Sequence, residues 1–422
     1  MKIIPADLYL QELRSGKDVS KPDVGAAVRE IIENVRENGD SAVLMYESKF
    51  DKADLSSLVV TKEEIEEAIE KVPKKFFKVL MKAAKNIRAF HEKQKRKGFS
   101  ISGKGKLIGQ KVLPIERAAL YVPGGTAAYP STVLMNAIPA KIAGCAEVCI
   151  ATPPLINGKI NPVILAAAHI AGVDTIYKMG GAQAIAALAY GTESVKKADK
   201  IVGPGNVYVA EAKRQVYGLV SIDMIAGPSE IAVLADEKSD PSFVAADLLS
   251  QAEHDKNARA ILITPSEDLA KSVEKEVEAQ LSRLKRKEIA SVSVENNGRI
   301  VLVKDMEEGV AVANEIAPEH LEICSDEPTK YLDLVKNAGS VFLGRYCPEA
   351  LGDYLGGPNH TLPTSGAARF SSPLSVDDFI KKTQFIYYDK AAFSKVADDI
   401  AYFAAKEGLT AHAESALIRL GK

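Results

Sequence analysis

Four of the six histidines lie in the second half of this 422-residue chain, each among polar or small residues. They are His254, His320, His360 and His412. Histidine is both a common metal ligand and a base that titrates near neutral pH, so this distribution indicates an enzyme. The other two, His91 and His169, stand in helical runs and are interpreted as structural.

The first pattern with metal-ligand character is Gln251 with His254. The two residues are three apart near the end of a predicted helix, so both project from one face and could share a metal ion. With Asp353 and His412 they would form a nitrogen and oxygen ligand set suited to zinc, manganese or cobalt. The spacing alone is not specific, and a helix end without a metal is the alternative.

The second pattern is the acid and imidazole pair Glu319 and His320. The pair follows Pro318, which ends the preceding predicted helix, and stands before an apolar run over 321–324. Adjacent residues of an extended chain point in different directions, so the two groups could serve different steps in one cleft. A pair in a surface loop is the alternative.

Three glycine turns, Gly124-Gly125, Gly180-Gly181 and Gly203-Pro204-Gly205, each follow a short β-rich run. Turns at the carboxyl ends of parallel strands meet at one sheet edge, and such an edge favours a nucleotide site. The last turn also opens a helix whose N-terminus could bind an anion. Tyr208 stands where a G-x-G-x-x-G fingerprint needs glycine, so an ordinary tight turn is the alternative.

These residues need a scaffold, and the chain alternates short apolar runs with helical segments from residue 118 onward. Such alternation predicts right-handed crossovers and parallel sheets. The predicted strands are 118–122, 147–151, 175–179, 200–202, 230–235, 258–264, 299–303 and 340–343. Helices are predicted over 24–36, 62–72 and 73–93, and we expect them to pack on the unit that begins at residue 230.

The fold class is therefore α/β, with two Rossmann-like parallel-sheet domains, one inserted in the other, plus helical N-terminal and C-terminal extensions. The predicted bounds are 1–16 for the N-terminal extension, 17–120 with 230–374 for the discontinuous α/β domain, 121–229 for the inserted Rossmann-like domain and 375–422 for a helical C-terminal tail. Because His412 stands near the end of that tail, we expect the tail to dock on a partner subunit or on its own catalytic cleft.

Composition limits the partners. A net charge of −2 and a pI near 6.4 give no basic field for nucleic acid. The four cysteines show no paired metal spacing and fit a reducing cytoplasm. No signal peptide is evident, and no apolar run approaches the roughly 18 residues of a membrane helix. We expect a soluble, cytoplasmic protein without nucleic-acid or membrane partners.

Several longer runs are distinctive: 180–188 (GGAQAIAAL), 203–206 (GPGN), 222–230 (IDMIAGPSE), 247–254 (DLLSQAEH), 317–321 (APEHL) and 359–364 (NHTLPT). Together they resemble the histidinol dehydrogenase family over nearly the whole chain. The resemblance implies oxidation of L-histidinol to L-histidine through L-histidinaldehyde, the last steps of histidine biosynthesis. It also implies two NAD⁺ consumed as cosubstrate, one zinc ion per site, and a homodimer with shared active sites.

The resemblance also implies residue roles. The zinc ligands would be Gln251, His254, Asp353 and His412. Glu319 and His320 match the acid–base pair. Substrate contacts would be Ser229, Gln251, His254, His320, Asp353, Glu407 and His412, with His360 left open. Tyr121, Gln183 and Asn206 match the NAD contacts.

Three other functions remain open from the sequence. A metal-dependent hydrolase could use Glu319 to activate water and would need no NAD. A binding protein of the same fold would need no catalytic groups, although this chain has the full set of ligand and base residues. A related dehydrogenase could act on another amino alcohol, but Glu407 and the implied zinc set favour histidinol.

Overall fold

The computed structural model describes residues 1–15, 23–124, 128–225 and 227–422. Gly125 of the first glycine turn, Ala226 of the run over 222–230, and the predicted domain boundary between residues 16 and 17 lie outside the described residues. Within the described chain, no helix combines the length and the apolar character needed to cross a membrane.

The strands of the described residues, in chain order, are β1 (Lys2–Pro5), β2 (Phe99–Gly103), β3 (Lys106–Pro114), β4 (Arg117–Tyr121), β5 (Glu147–Thr152), β6 (Thr175–Lys178), β7 (Lys200–Val202), β8 (Ser221–Ile222), β9 (Glu230–Ala235), β10 (Arg259–Thr264), β11 (Arg299–Leu302), β12 (His320–Cys324), β13 (Ser340–Leu343) and β14 (Ile380–Tyr388).

The α-helices are α1 (Ala6–Arg14), α2 (Gly25–Tyr46), α3 (Lys62–Lys71), α4 (Lys74–His91), α5 (Pro130–Ala143), α6 (Pro162–Ala171), α7 (Gly181–Tyr190), α8 (Val207–Val216), α9 (Pro241–Ala252), α10 (Glu267–Leu281), α11 (Lys287–Asn297), α12 (Met306–Ile316), α13 (Thr329–Leu332), α14 (Glu349–Tyr354), α15 (Lys390–Ser394), α16 (Ala397–Lys406) and α17 (Thr410–Leu417).

A six-stranded parallel sheet has the order β1-β11-β10-β9-β12-β13. Its central strand β9 is buried along its whole length, because a parallel sheet is covered on both faces and its strands become continuous apolar runs. Separate hydrophobic clusters lie on the two faces of this sheet. Since β1 is its edge strand, residues of the predicted N-terminal extension belong to this sheet.

A five-stranded parallel sheet has the order β6-β5-β4-β7-β8. Helices α5 and α6 share one hydrophobic cluster with it, and α7 and α8 share the other. The strands predicted for both sheets are confirmed to within a residue or two. The fold class, α/β with two parallel sheets, is therefore confirmed.

The helices α2, α3 and α4 pack on the five-stranded sheet, so the prediction that they pack on the six-stranded sheet is wrong. Val28 and Val35 of α2 join the cluster that contains α7. Leu80 and Ile87 of α4 join the cluster that contains α5 and α6. An apolar stripe shows that a helix has a buried face but does not identify the sheet that buries it. The predicted domain bounds stay a proposal.

Both parallel sheets belong to one compact unit, which comprises residues 1–94 and 115–379. A second unit comprises residues 95–114 and 380–422. It contains an antiparallel sheet in the order β14-β3-β2 and the helices α15, α16 and α17. The prediction of a purely helical tail over 375–422 is therefore wrong, because its residues 380–388 form β14. Their β-branched and aromatic side chains suit a strand, but their partner strand β3 is distant in sequence.

Candidate active site

Glu319 and His320 lie at the amino-terminal end of β12, beside β9, and both are buried. The backbone of Glu230, the first residue of β9, contacts both side chains. Its N–H donates to Glu319 Oε2 at 2.9 Å, and its carbonyl oxygen lies 3.0 Å from His320 Nδ1. One backbone residue therefore holds the carboxyl group and the imidazole in place.

The environment of His320 determines which proton it carries. A carbonyl oxygen can only accept, so the contact with Glu230 requires the proton on Nδ1 and leaves Nε2 with its lone pair. Burial lowers the pKa of His320 to about 4, which keeps the ring neutral at neutral pH. A neutral imidazole with a free Nε2 can accept a proton from a substrate hydroxyl.

Glu319 has the opposite shift. Burial raises its pKa well above the usual range, and the nearby carboxyl groups of Glu230, Asp353 and Glu349 raise it further. The hydrogen bond from the Glu230 N–H opposes this shift, because it stabilises the ionised form. Glu319 can therefore hold a proton at neutral pH and act as a base once it is ionised.

A cluster of metal-ligand side chains lies next to His320. Ligand atoms of His320, Glu349 and Asp353 all lie within 4.8 Å of one another. Glu349 and Asp353 are four residues apart in α14, so they occupy the same helix face. His360 Nδ1 lies 3.5 Å from Asp353 Oδ1. Sequence analysis missed Glu349, although its i,i+4 spacing with Asp353 was the available signal.

The charges within this cluster follow from burial and contact. Burial raises the pKa of Glu349 to about 8, and its carboxyl accepts from Ser250 Oγ at 2.8 Å. Burial acts to raise the pKa of Asp353, but the contact with His360 acts to lower it. The net result is a lowered pKa for Asp353. The two shifts have opposite directions, so Asp353 is the more acidic carboxyl of this pair.

Gln251 lies in the last turn of α9 with only 1% of its surface exposed. Its amide lies beside the Glu349 carboxyl, but neither amide atom reaches hydrogen-bonding geometry with a partner. An unpaired buried polar group is costly, and a ligand that contacts this amide would remove that cost. A metal ion would satisfy its oxygen.

His254 lies in the turn beyond α9, where its N–H donates to the Gln251 carbonyl at 3.1 Å. The prediction that it projects from the same helix as Gln251 is therefore wrong by two residues, because α9 ends at Ala252. Part of His254 is exposed, but desolvation lowers its pKa, and the charge of Asp353 is the largest opposing influence. A neutral imidazole, an anionic carboxylate and an unpaired amide oxygen fit a zinc ion.

The remaining predicted site residues are distributed over both units. Ser229 directly precedes β9, is partly buried, and accepts from the Arg259 N–H through its carbonyl at 3.0 Å. Glu407 caps the end of α16 and His412 lies in the first turn of α17, and both are exposed residues of the second unit. Three of the four predicted zinc ligands therefore belong to the first unit, and the fourth, His412, belongs to the second.

The predicted nucleotide contacts lie at the carboxyl edge of the five-stranded sheet. The Gly181 N–H donates to the Tyr121 hydroxyl at 3.0 Å, so the turns after β4 and β6 meet. Gly203 has φ +119° and packs so closely on the Tyr121 carbonyl that a side chain would collide with it. Gln183 is buried on α7. The turns after β6 and β7 therefore both contact Tyr121, the last residue of β4.

Asn206 is at the start of α8, next to the turn that contains Gly203. Its Oδ1 accepts from the N–H groups of Tyr208 and Val209 at 3.0 and 3.1 Å, which is an ordinary N-cap. Its residue surface is exposed. The helix start therefore needs Asn206 for its own backbone, and a contact with a ligand would be additional.

Comparison with known proteins gives one consistent result. The family model for histidinol dehydrogenase matches residues 14–420. The chain is 52% identical over 417 residues to histidinol dehydrogenase of Clostridium acetobutylicum, covering 99% of this chain and 97% of that one. It is 56% identical over 411 residues to the Bacillus anthracis protein of that name, covering 97% and 96%. A crystal structure of histidinol dehydrogenase from Elizabethkingia anophelis has a TM-score of 0.93 at 41% identity, covering 99% of this chain and 97% of that one.

Proposed function

Since this chain belongs to the histidinol dehydrogenase family and is an oxidoreductase, we propose that it oxidises L-histidinol to L-histidine through L-histidinaldehyde with NAD⁺ as cosubstrate. The alcohol loses four electrons on the way to the carboxylate, so two NAD⁺ are reduced. The observation that carries the proposal is the buried pair Glu319 and His320, held by Glu230 beside a cluster of metal-ligand side chains.

The zinc ligands in this proposal are Gln251, His254 and Asp353, completed by His412 of a partner chain in a homodimer. When bound, zinc would hold the imidazole and amino nitrogens of the substrate and so fix the position of its alcohol carbon. The unpaired amide oxygen of Gln251 supports this assignment, because a zinc ion would supply the partner that this oxygen lacks.

His320 acts in the first oxidation. Its free Nε2 accepts the proton of the substrate hydroxyl while the carbon transfers a hydride to NAD⁺. The hydrogen bond from Nδ1 to the Glu230 carbonyl supports the imidazolium that results, because that carbonyl accepts in both protonation states. The product of this step is the aldehyde.

Glu319 acts in the second oxidation. An aldehyde carbon can give up a hydrogen to NAD⁺ only after water has added to it. Ionised Glu319 accepts a proton from that water as the new C–O bond forms, and the second NAD⁺ is then reduced. The burial of Glu319 and His320 favours retention of the reactive aldehyde until this step is complete.

The other contacts follow from the same proposal. Ser229 and Glu407 contact the substrate, and Tyr121, Gln183 and Asn206 contact NAD⁺. The compartment is the cytoplasm, a proposal supported by the four free cysteines of the described chain.

The first test is the stoichiometry of the reaction. Purified zinc-loaded protein with L-histidinol and NAD⁺ should form two NADH per histidine, measured by absorbance and by quantifying histidine. Removing the metal with a chelator should abolish the reaction, and zinc should restore it. Absence of NADH from fully metallated protein would contradict the proposal; NADH with another amino alcohol would change the substrate, and hydrolysis without NAD⁺ would change the reaction class.

A second test addresses the shared site. His254→Ala and His412→Ala should each be inactive, because each removes one zinc ligand. If His412 acts in the partner's site, a mixed dimer contains one site with both histidines, and activity should return on mixing. Each variant reassociated with itself is the control. Confirmed mixed dimers that remain inactive would show that each site is built within one subunit.

A further inference from the structure

Glu47 is a fully buried acid outside the predicted site, in a wide helical turn over Glu47–Asp51 that follows α2. Its Oε1 accepts two hydrogen bonds of 2.9 Å, one from the Gly180 N–H and one from Gln183 Nε2. Both donors belong to the turn and helix after β6. Glu47 therefore contacts two residues of the predicted nucleotide edge.

These contacts determine the orientation of the Gln183 amide. Because Glu47 Oε1 accepts, the nitrogen of Gln183 must face it, and the amide oxygen must face elsewhere. That oxygen, Gln183 Oε1, is buried and has no hydrogen-bond partner among the described residues. It lies next to Gly181, whose N–H binds the Tyr121 hydroxyl. A hydrogen-bond donor on a bound ligand would satisfy this buried acceptor.

The second oxygen of Glu47, Oε2, is also buried and has no hydrogen-bond partner among the described residues. The Asp51 carboxyl lies close to the Glu47 carboxyl. Two adjacent carboxyl groups in a buried site share one proton. Burial raises the pKa of Glu47 to about 8, with Asp51 adding to the shift, and burial also raises the pKa of Asp51. The titratable group that faces the pair from the sheet is Tyr121, whose pKa burial also raises.

We propose that Glu47 is a positioning residue of the dinucleotide site, whose carboxyl oxygen orients Gln183 so that the Gln183 amide oxygen accepts a hydrogen bond from a donor group of NAD⁺. This inference rests on the proposed function, because it takes NAD⁺ as the cosubstrate. Glu47 touches no reacting atom and acts only through Gln183 and the turn at Gly180.

The test compares Glu47→Leu with Glu47→Gln. Leucine fills the space but accepts no hydrogen bond, so the KM and the Kd for NAD⁺ should rise about tenfold, while kcat and the KM for histidinol stay within about twofold. Glutamine keeps a neutral carbonyl acceptor and has an N–H donor in place of the O–H of the protonated acid, so it should restore NAD⁺ affinity. Glu37→Ala, an exposed acid of α2, is the matched control. Kd is measured by NADH fluorescence on zinc-free protein, and melting temperature verifies folding.

The pH dependence of NADH binding can be measured on the wild-type protein, without a variant that disturbs folding. Glu47 keeps its proton below its raised pKa and loses it as the pH rises through about 8, which places two carboxylates side by side. The wild-type Kd for NADH should therefore increase between pH 7 and 9, and the Kd of Glu47→Gln should stay constant. Equal profiles, or a glutamine variant as weak as the leucine variant, would overturn this role for Glu47. Wild-type protein that binds no NADH would overturn the proposed function as well.

Discussion

Replacing His320 by alanine is expected to lower the rate of histidinol oxidation by roughly 10²- to 10⁴-fold, the usual contribution of a positioned base. The reason is the neutral ring, whose Nδ1 is held by the Glu230 carbonyl and whose Nε2 is free to accept the hydroxyl proton. Initial NADH formation with saturating NAD⁺ measures the loss. Zinc content should stay near the wild-type value, because His320 is not among the proposed zinc ligands, and the melting temperature verifies that the variant is folded at the assay temperature.

His169→Ala is the matched control, since His169 is an exposed histidine of α6 and should tolerate the change. Supplied histidinaldehyde separates the two half-reactions. The His320 variant should lose more activity with the alcohol than with the aldehyde. A variant that oxidises histidinol within tenfold of the wild-type rate would exclude His320 as the base of the first step.

Replacing Glu319 by glutamine should have its main effect on the second half-reaction. Glutamine can still accept the hydrogen bond from the Glu230 N–H, so folding should be preserved, but it cannot take a proton from water. We expect oxidation of supplied histidinaldehyde to fall by roughly 10²- to 10⁴-fold. With histidinol, the aldehyde should accumulate and NADH per molecule consumed should approach one.

The pH profile gives a second measurement on the same variant. Glu319 must be ionised to act as a base, and burial together with Glu230, Asp353 and Glu349 raises its pKa. Wild-type aldehyde oxidation should therefore increase as the pH rises through that raised value, and the residual rate of Glu319→Gln should not. Normal oxidation of the aldehyde by Glu319→Gln would contradict the division of labour between the two residues.

The parallel sheets were predictable because their strands are short apolar runs between turns. The run Glu230–Ala235 is an example, since every residue of β9 is buried. Two features were not predictable. Strand β14 lacks the regular alternation of polar and apolar residues and lies in a chain end rich in helical segments, so only its pairing with β3 distinguishes it. The second is which sheet α2 packs against, because the spacing of apolar residues along a helix does not identify its packing partner.

The candidate site was predictable where residue type and spacing were both informative, as for Glu319 and His320. Their place at the amino-terminal end of β12 was not, since the general rule for parallel sheets points to the carboxyl ends. Glu349 had a usable signal in its spacing with Asp353. Glu47 had none, because its importance arises from burial against Gly180 and Gln183, residues distant in sequence.

The antiparallel sheet of the second unit joins residues 106–114 to residues 380–388. During synthesis on a ribosome, the hairpin of β2 and β3 emerges early, and a lone two-stranded hairpin is marginally stable in water. Strand β14 can complete the sheet only after nearly all of the remaining chain has been synthesised. Glu407 and His412 follow β14, so a prematurely terminated chain would lack them both. In a growing polypeptide, the proposed site would therefore gain Glu407 and His412 last, after both parallel sheets have been translated.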